Sequence, residues 1–348
     1  MAAKILIVDD ASVFRLTLTR QLEKEEGFTV AGSARNGEEA LKMIRELSPD
    51  VVILDLEMPV MDGLRTLEEL KKLRPSVNPK VIMFSSHTVH GADKTLKALS
   101  LGALDFVAKP SGGSLSEGQR EIEKTLIPII HGLVGDDLPK AAPRPEKFVR
   151  PQTPASRGVR KDVVGLGIST GGPEALARLI PKLDSDMRCP LLLVQHMPPI
   201  FTHQLAERLN SLSAISVKEA EEGDVLRQGH VYIAPGDFHM AVEQDGGKRV
   251  IKLNQGPPVN SCRPSVDVLF KSLAENFGNR TLGIIMTGIG QDGLSGCMEL
   301  KKKGASIITQ EKDSCVVYGM PRFVNEANLA DETVPLDEIA DKTRYYMQ

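Results

Sequence analysis

At 348 residues, 41% hydrophobic and 26% charged, the chain has the length for two domains and enough apolar material for two cores. Its net charge of −3 gives no general attraction to nucleic acid or to an anionic membrane. Met1 to Asp10 are too short and too acidic for a signal peptide, and apolar runs such as Leu191 to Val194 fall far below a membrane span. The four cysteines, Cys189, Cys262, Cys297 and Cys315, form no Cys-x-x-Cys pair. They read as reduced thiols of a cytoplasmic protein, not as a disulfide frame or a zinc site.

From residue 4 to about 134, short β-branched runs alternate with amphipathic stretches. The runs are Ile5 to Val8, Val30 to Gly32, Val51 to Leu54, Val81 to Phe84 and Phe106-Val107. Helix-like segments lie near 12–24, 37–47, 64–73, 92–101 and 117–134. Five strand–helix units predict a parallel, doubly wound sheet. In such sheets ligands bind at the carboxyl ends of the strands.

Asp9 and Asp10 follow the first run, and Asp55 follows the third. Clustered carboxylates repel one another, so a hard cation such as Mg2+ is the expected neutraliser. Ser85 ends the fourth run and Lys109 the fifth, just before Pro110. Together these groups can make and hold an acyl phosphate: Asp55 attacks, Mg2+ and Lys109 neutralise the phosphoryl group, and Ser85 follows it.

With those residues in place, residues 4–130 resemble a receiver domain of two-component response regulators. The matching pieces are Val8-Asp9-Asp10, Leu54-Asp55-Leu56-Glu57-Met58-Pro59-x-Met61-Asp62-Gly63, Ser85-Ser86 and Lys109-Pro110. The resemblance implies a flavodoxin-like fold with Asp55 as the phosphoacceptor. It also implies Mg2+ ligation by Asp9, Asp10, Asp55 and the Glu57 carbonyl, with Phe106 as the switch aromatic.

Periodicity disappears from Asp136 to about Asp162, and Pro139, Pro143, Pro145, Pro151 and Pro154 punctuate the stretch. Between 140 and 161 seven basic residues (Lys140, Arg144, Lys147, Arg150, Arg157, Arg160 and Lys161) stand against Glu146 alone, +6 by count. We read residues 135–161 as a Pro-rich basic linker between a first domain, 1–134, and a second, 162–348. The basic charge could touch an acidic partner or nucleic acid. With no aromatic beyond Phe148, a solvated tether is the favoured reading.

After the linker the rhythm returns. Strands are predicted at 163–168, 191–195, 231–234, 282–286 and 305–309, and helices near 172–182, 201–210, 264–276, 291–303 and 320–327. Gln244-Asp245-Gly246-Gly247 marks a β-hairpin around 240–253. This predicts a second parallel α/β domain. Ser169, His196 and Asp292 fall just past three of its strands. A serine needs a base to become a nucleophile, and the base needs an orienting acid. Gly167-Ile168-Ser169-Thr170-Gly171 also fits the G-x-S-x-G turn, whose amides can face an oxyanion. Other readings compete. Gly165-x-Gly167 could open a dinucleotide fingerprint, although Thr170 stands where its last glycine belongs. Ser169 could be a helix N-cap, and His196 could be structural.

Residues 162–345 resemble the catalytic domain of chemotaxis protein-glutamate methylesterases. The similarity lies in Gly167-x-Ser169-Thr170-Gly171-Gly172-Pro173, Gln195-His196-Met197-Pro198-Pro199-x-Phe201-Thr202 and Ala234-Pro235-Gly236. It continues in Asn260-x-Cys262-Arg263-Pro264-Ser265-Val266-Asp267-x-Leu269-Phe270, Thr287-Gly288-x-Gly290-x-Asp292-Gly293 and Tyr318-Gly319-Met320-Pro321. The resemblance implies a Rossmann-like domain with Ser169 as nucleophile, His196 as base and then acid, and Asp292 as the orienting acid. The backbone amides of Thr170 and Ile289 would form the oxyanion hole, and no cofactor would be needed in this site. Gln291 stands where the family often has Asn. Arg263 could position the substrate, build the cleft wall or be a structural arginine.

The implied activity is hydrolysis of glutamyl γ-methyl esters, and deamidation of glutamines, on methyl-accepting chemotaxis receptors. A chemotaxis histidine kinase would activate it through Asp55, with the unphosphorylated receiver covering the cleft. No nucleic-acid partner, no membrane insertion and a monomeric state are expected. The alternative is a phosphorylation-controlled scaffold or DNA-binding regulator, but no helix-turn-helix with a basic face follows the linker.

Overall fold

The structure, a computed structural model, describes residues 2–73, 79–85, 89–110, 115–135 and 159–348. The chain divides into two units, Met1–Pro139 and Lys140–Gln348. The stretch read as a linker lies outside the described residues except for Gly135 and residues 159–161, and Ser86 lies outside them too.

The first unit runs β1 (Ala3–Val8), α1 (Ser12–Leu22), β2 (Phe28–Ala34), α2 (Gly37–Leu47), β3 (Val51–Asp55), α3 (Gly63–Leu70), β4 (Lys80–Ser85), α4 (Val89–Ser100), β5 (Asp105–Ala108) and α5 (Leu115–Val134). The five strands form one parallel sheet in the order β2-β1-β3-β4-β5, the flavodoxin-like order. Ile5 to Val8, Val51 to Leu54 and Val81 to Phe84 are buried on both sides, as a sheet covered by helices on both faces requires. Helix starts follow local chemistry. The Asn36 side chain accepts from the Glu39 amide at the head of α2, and Asp62 accepts from Arg65 at the head of α3.

The second unit begins with β6 (Val163–Ile168), α6 (Gly172–Leu179), β7 (Leu191–Gln195), α7 (Phe201–Leu212), β8 (Ser216–Glu219) and β9 (His230–Ile233). The hairpin β10 (His239–Asp245) and β11 (Lys248–Asn254) comes next. The unit continues with α8 (Val266–Asn276), β12 (Thr281–Ile285), α9 (Leu294–Lys302), β13 (Ser306–Gln310), α10 (Met320–Glu326), β14 (Glu332–Val334) and α11 (Ile339–Met347). Seven strands make a parallel sheet in the order β14-β13-β12-β6-β7-β9-β8, while β10 and β11 pair antiparallel as a separate ribbon. The expected fold class, two doubly wound parallel sheets with a hairpin in the second unit, is the observed one.

The central strand β6 is buried along its whole length. Its glycines let α8 sit close: a Cβ on Gly167 would stand 2.5 Å from Val266 Cγ1. Glycine is required there by close approach, and that approach brings the first turn of α8 against the end of β6. The expected helix at 264–276 starts at Val266 because Pro264 and the extended Ser265 precede it. Two edge strands, β8 and β14, and helix α11 were not predicted.

Candidate active site and receiver acid cluster

Three strand ends in the second unit carry Ser169, His196 and the loop to Asp292. Register sets the first two side by side. Ile168 pairs with Gln195 across β6 and β7, so Ser169 and His196 each stand one residue past the last pair on neighbouring strands, which run about 4.8 Å apart. The His196 amide donates to the Ile168 carbonyl at 3.2 Å, and the Ser169 amide donates to the Thr287 carbonyl at 3.0 Å. Gln195 Nε2 donates to the Ser169 carbonyl at 3.0 Å. The serine's backbone is thus held from both sides.

Ser169 is not a helix cap. The N-cap of α6 is Gly171, two residues later, in the left-handed region at φ 78° and with no side-chain cap hydrogen bond. Glycine meets that conformation without strain, which leaves the half-buried Ser169 hydroxyl free of capping duty. Gly288 lies directly over the serine: a Cβ there would stand 2.7 Å from Ser169 Cβ and 2.5 Å from Met320 Sδ. The next residue is Ile289. Among the described residues, neither the Thr170 nor the Ile289 amide has a hydrogen-bond acceptor.

His196 Nε2 lies 2.8 Å from Asp292 Oδ2. Asp292 is buried and takes four further donors: Ser265 Oγ at 2.7 Å, the Val266 amide at 2.7 Å, the Asp267 amide at 3.2 Å and Asn260 Nδ2 at 3.1 Å. Val266 and Asp267 open α8, so the carboxylate sits on a helix N-terminus, where unpaired amides and the dipole favour an anion. Burial pushes the Asp292 carboxyl up. The His196 hydrogen bond and charge, with Ser265 and Val266, outweigh burial and hold it at about 2. His196 moves the other way. Burial lowers it, but Cys262 and Asp292 outweigh burial and raise the imidazole to about 10.

The structure therefore joins His196 to Asp292 and stands Ser169 at the neighbouring strand end. No hydrogen bond links the Ser169 hydroxyl to His196 among the described residues. The second ring nitrogen, Nδ1, is instead 3.6 Å from Cys262 Sγ. Sequence reasoning placed Cys262 among scattered thiols. Its one signal was position, two residues past Asn260 and three before Ser265, both of which hold Asp292. Arg263 is tied down within its own loop region. Its Nε donates to Asp237 Oδ1 at 3.0 Å and its Nη1 to the Gly256 carbonyl at 2.9 Å, tying the 255–256 loop to Asp237.

In the first unit the three acids converge. Asp9, Asp10 and Asp55 each offer a carboxylate oxygen within 4.8 Å of the others. Asp9 and Asp55 are buried and Asp10 is exposed. Lys109 Nζ lies 2.8 Å from Asp9 Oδ2 and 2.8 Å from Asp55 Oδ2. Asp9 Oδ2 takes that ion pair but receives no aligned hydrogen bond. Burial, more than the nearby Asp9 charge, raises the Asp55 carboxyl to about 6 against the pull of Lys109. Burial would lower Lys109, but the two carboxylates outweigh it and raise the ammonium above its ordinary value. A cluster of oxygen donors with excess negative charge and an under-satisfied buried oxygen fits a hard divalent cation. The Glu57 amide donates to Asp55, while the Glu57 side chain turns out to Lys94 at 2.7 Å.

Ser85 is fully buried, and its Oγ lies 2.9 Å from Thr95 Oγ1. Thr95 spends its own proton on the Gly91 carbonyl at 2.7 Å, so Ser85 is the donor in that pair. Phe106 is buried on β5, with its amide bonded to Asp105 Oδ1.

Residues 164–343 match the CheB methylesterase family, and residues 5–116 match the response regulator receiver domain. A protein of Symbiobacterium thermophilum named protein-glutamate methylesterase/protein-glutamine glutaminase is 44% identical over 97% of this chain and 95% of its own length. One of the same name from Bacillus licheniformis is 44% identical over 99% of this chain and 98% of its own. The crystal structure of the Thermotoga maritima CheB methylesterase catalytic domain is 42% identical, covers 53% of this chain and 98% of that one, and superposes with a TM-score of 0.52. The chain therefore belongs to the CheB methylesterase family, with a receiver domain ahead of the enzyme domain.

Proposed function

We propose that the second unit hydrolyses the γ-methyl esters of glutamyl residues on methyl-accepting chemotaxis receptors, and deamidates receptor glutamines, by a Ser-His-Asp mechanism. The observation that carries this reading is the buried 2.8 Å contact of His196 with Asp292, set beside Ser169 at the neighbouring strand end. Asp292 holds the ring by Nε2, which leaves Nδ1 as the nitrogen that takes the Ser169 proton. Ser169 Oγ attacks the ester carbonyl, and the Thr170 and Ile289 amides receive the developing oxyanion. His196 returns the proton to the leaving methanol, or to ammonia from a glutamine. It then draws a proton from water to free the carboxylate. The extra anion on the receptor helix is the adaptation signal. The Gln291 side chain is given no part in these steps.

The same reading makes Asp55 the site phosphorylated by a chemotaxis histidine kinase. Asp9, Asp10, Asp55 and the Glu57 carbonyl would hold Mg2+, which supplies positive charge to phosphoryl oxygens. Lys109 shares that neutralisation, and Ser85 and Phe106 respond as the switch. No helix of the described residues is long and apolar enough to cross a membrane. On this reading the enzyme acts on its receptor from the cytoplasm, as a monomer.

The test is methanol release from methylated receptor. Ser169→Ala should release none above the uncatalysed rate, and full release in that variant would sink the assignment. Asp55→Asn should keep the basal rate and lose stimulation by a small phosphodonor such as acetyl phosphate. Equal stimulation would remove the regulatory half.

A further inference from the structure

Outside the receiver cluster, one group of potential metal ligands stands together among the described residues: His196, Cys262 and Asp292, each with a ligand atom within 4.8 Å of the other two. Its chemistry differs from that of the receiver acids. Those are all oxygen donors, suited to Mg2+, whereas imidazole and thiol select softer ions. His196 Nδ1 and Cys262 Sγ are 3.6 Å apart. A tetrahedral zinc ion with nitrogen at about 2.0 Å and sulfur at about 2.3 Å separates those two atoms by roughly 3.6 Å. The two atoms therefore already span one edge of such a site.

The rest of the ring is arranged to match. Asp292 accepts from Nε2 at 2.8 Å, so Nδ1 points away from it. A carboxylate on the far nitrogen is the usual outer partner of a zinc-bound histidine, fixing tautomer and orientation. Four other donors anchor Asp292, so it serves as that outer partner and not as a ligand. Cys262 is half-buried and reachable by an ion. Its Sγ also lies 3.4 Å from the Asn260 carbonyl.

We propose that Zn2+ binds between His196 Nδ1 and Cys262 Sγ and inhibits the esterase by occupying the nitrogen that would otherwise deprotonate Ser169. The thiol proton and the Nδ1 proton of the imidazolium, which the raised His196 carries at neutral pH, both leave to solvent as sulfur and nitrogen become ligands, and water fills the remaining positions. Two protein ligands, against four in a structural site, make this a reversible regulatory ion. The inhibition, though not the binding, rests on the esterase reading above.

The probe is Co2+, whose bond to a thiolate gives a near-ultraviolet charge-transfer band that carboxylate ligands do not give. Added to the full chain, Co2+ should produce the band, and Zn2+ should abolish it. The band should vanish in Cys262→Ala and persist in Cys315→Ala, which removes the other half-buried thiol. Each variant's ester hydrolysis is then compared with itself, with and without Zn2+. The zinc concentration for half-inhibition should rise at least about tenfold in Cys262→Ala. No band, a band that survives Cys262→Ala, or undiminished zinc inhibition in that variant overturns the proposal. If the wild-type chain hydrolyses no ester, the esterase reading fails, and the cobalt band still decides the metal site.

Discussion

A methyl group on Gly288 would stand 2.7 Å from the Cβ of Ser169, so the two residues share a space that only one side chain fills. The Met320 sulfur on the other side can swing away, whereas the Ser169 backbone is fixed by Thr287 and Gln195. Gly288→Ala should therefore displace the serine before it unfolds the domain. The expected outcome is a fall in kcat of about a hundredfold with a stability loss of only about 1–3 kcal/mol. Steady-state kinetics beside urea unfolding would separate the two, and a full kcat would show that Ser169 is not confined in this way.

Asp292 has two tasks, holding His196 and closing the first turn of α8, and substitutions can divide them. Asp292→Asn should cut kcat by roughly 10^4, because an amide orients the wrong tautomer. Ser265→Ala removes one hydrogen bond to the carboxylate and leaves the His196 contact. It should cost about 1.5–3 kcal/mol in chemical denaturation with a far smaller loss of rate.

The pH profile follows from the raised His196. Only neutral imidazole accepts the serine proton, so kcat/KM should climb from pH 7 towards pH 10. Cys262 contributes to that elevation. Cys262→Ala should therefore move the midpoint of the rising limb to lower pH, measured with zinc chelated throughout. An unmoved midpoint would mean that the thiol does not influence the base.

In the receiver, the ordinary unfolded carboxylate titrates near 3.9, and Asp55 in the fold is raised to about 6. Between those values the folded state binds the extra proton, so Asp55 makes the metal-free unit lose stability as pH rises from about 4 to 6. Mg2+ should reverse this by binding the ionised cluster. At a hundredfold excess over Kd it adds about 2.7 kcal/mol. Calorimetry should show a Mg2+-dependent rise in the receiver transition at pH 7.5 that shrinks markedly at pH 5. Asp9→Asn should weaken it at both.

The parallel sheets were legible because their central strands are short, buried, largely apolar runs, and the residues that end them could be read off directly. Edge strands gave no such signal: β8 is Ser-Val-Lys-Glu with one buried residue, and β14 has three residues in all. Asn260 and Ser265 stand inside the 260–270 motif, but nothing in one dimension says that they point at Asp292, 32 and 27 positions away. The proximity of Cys262 to His196 escaped for the same reason, since it arises from how the start of α8 packs on β6. Lys161, counted with the tether's charges, is in fact buried at 1% exposure.

That lysine bears on how the enzyme domain is closed. The Lys161 amide donates to the Tyr346 carbonyl on α11 at 3.2 Å, and its Nζ donates to the Asn279 carbonyl at 2.7 Å, while burial lowers the ammonium to about 8. The segment entering β6 and the helix that finishes the fold are thus neighbours. Neighbouring ends are the condition for circular permutation. A short peptide could join 348 to 159, and the Gly246-Gly247 turn of the hairpin could be opened as the new terminus, leaving the three strand ends that carry Ser169, His196 and Asp292 in one uninterrupted sheet.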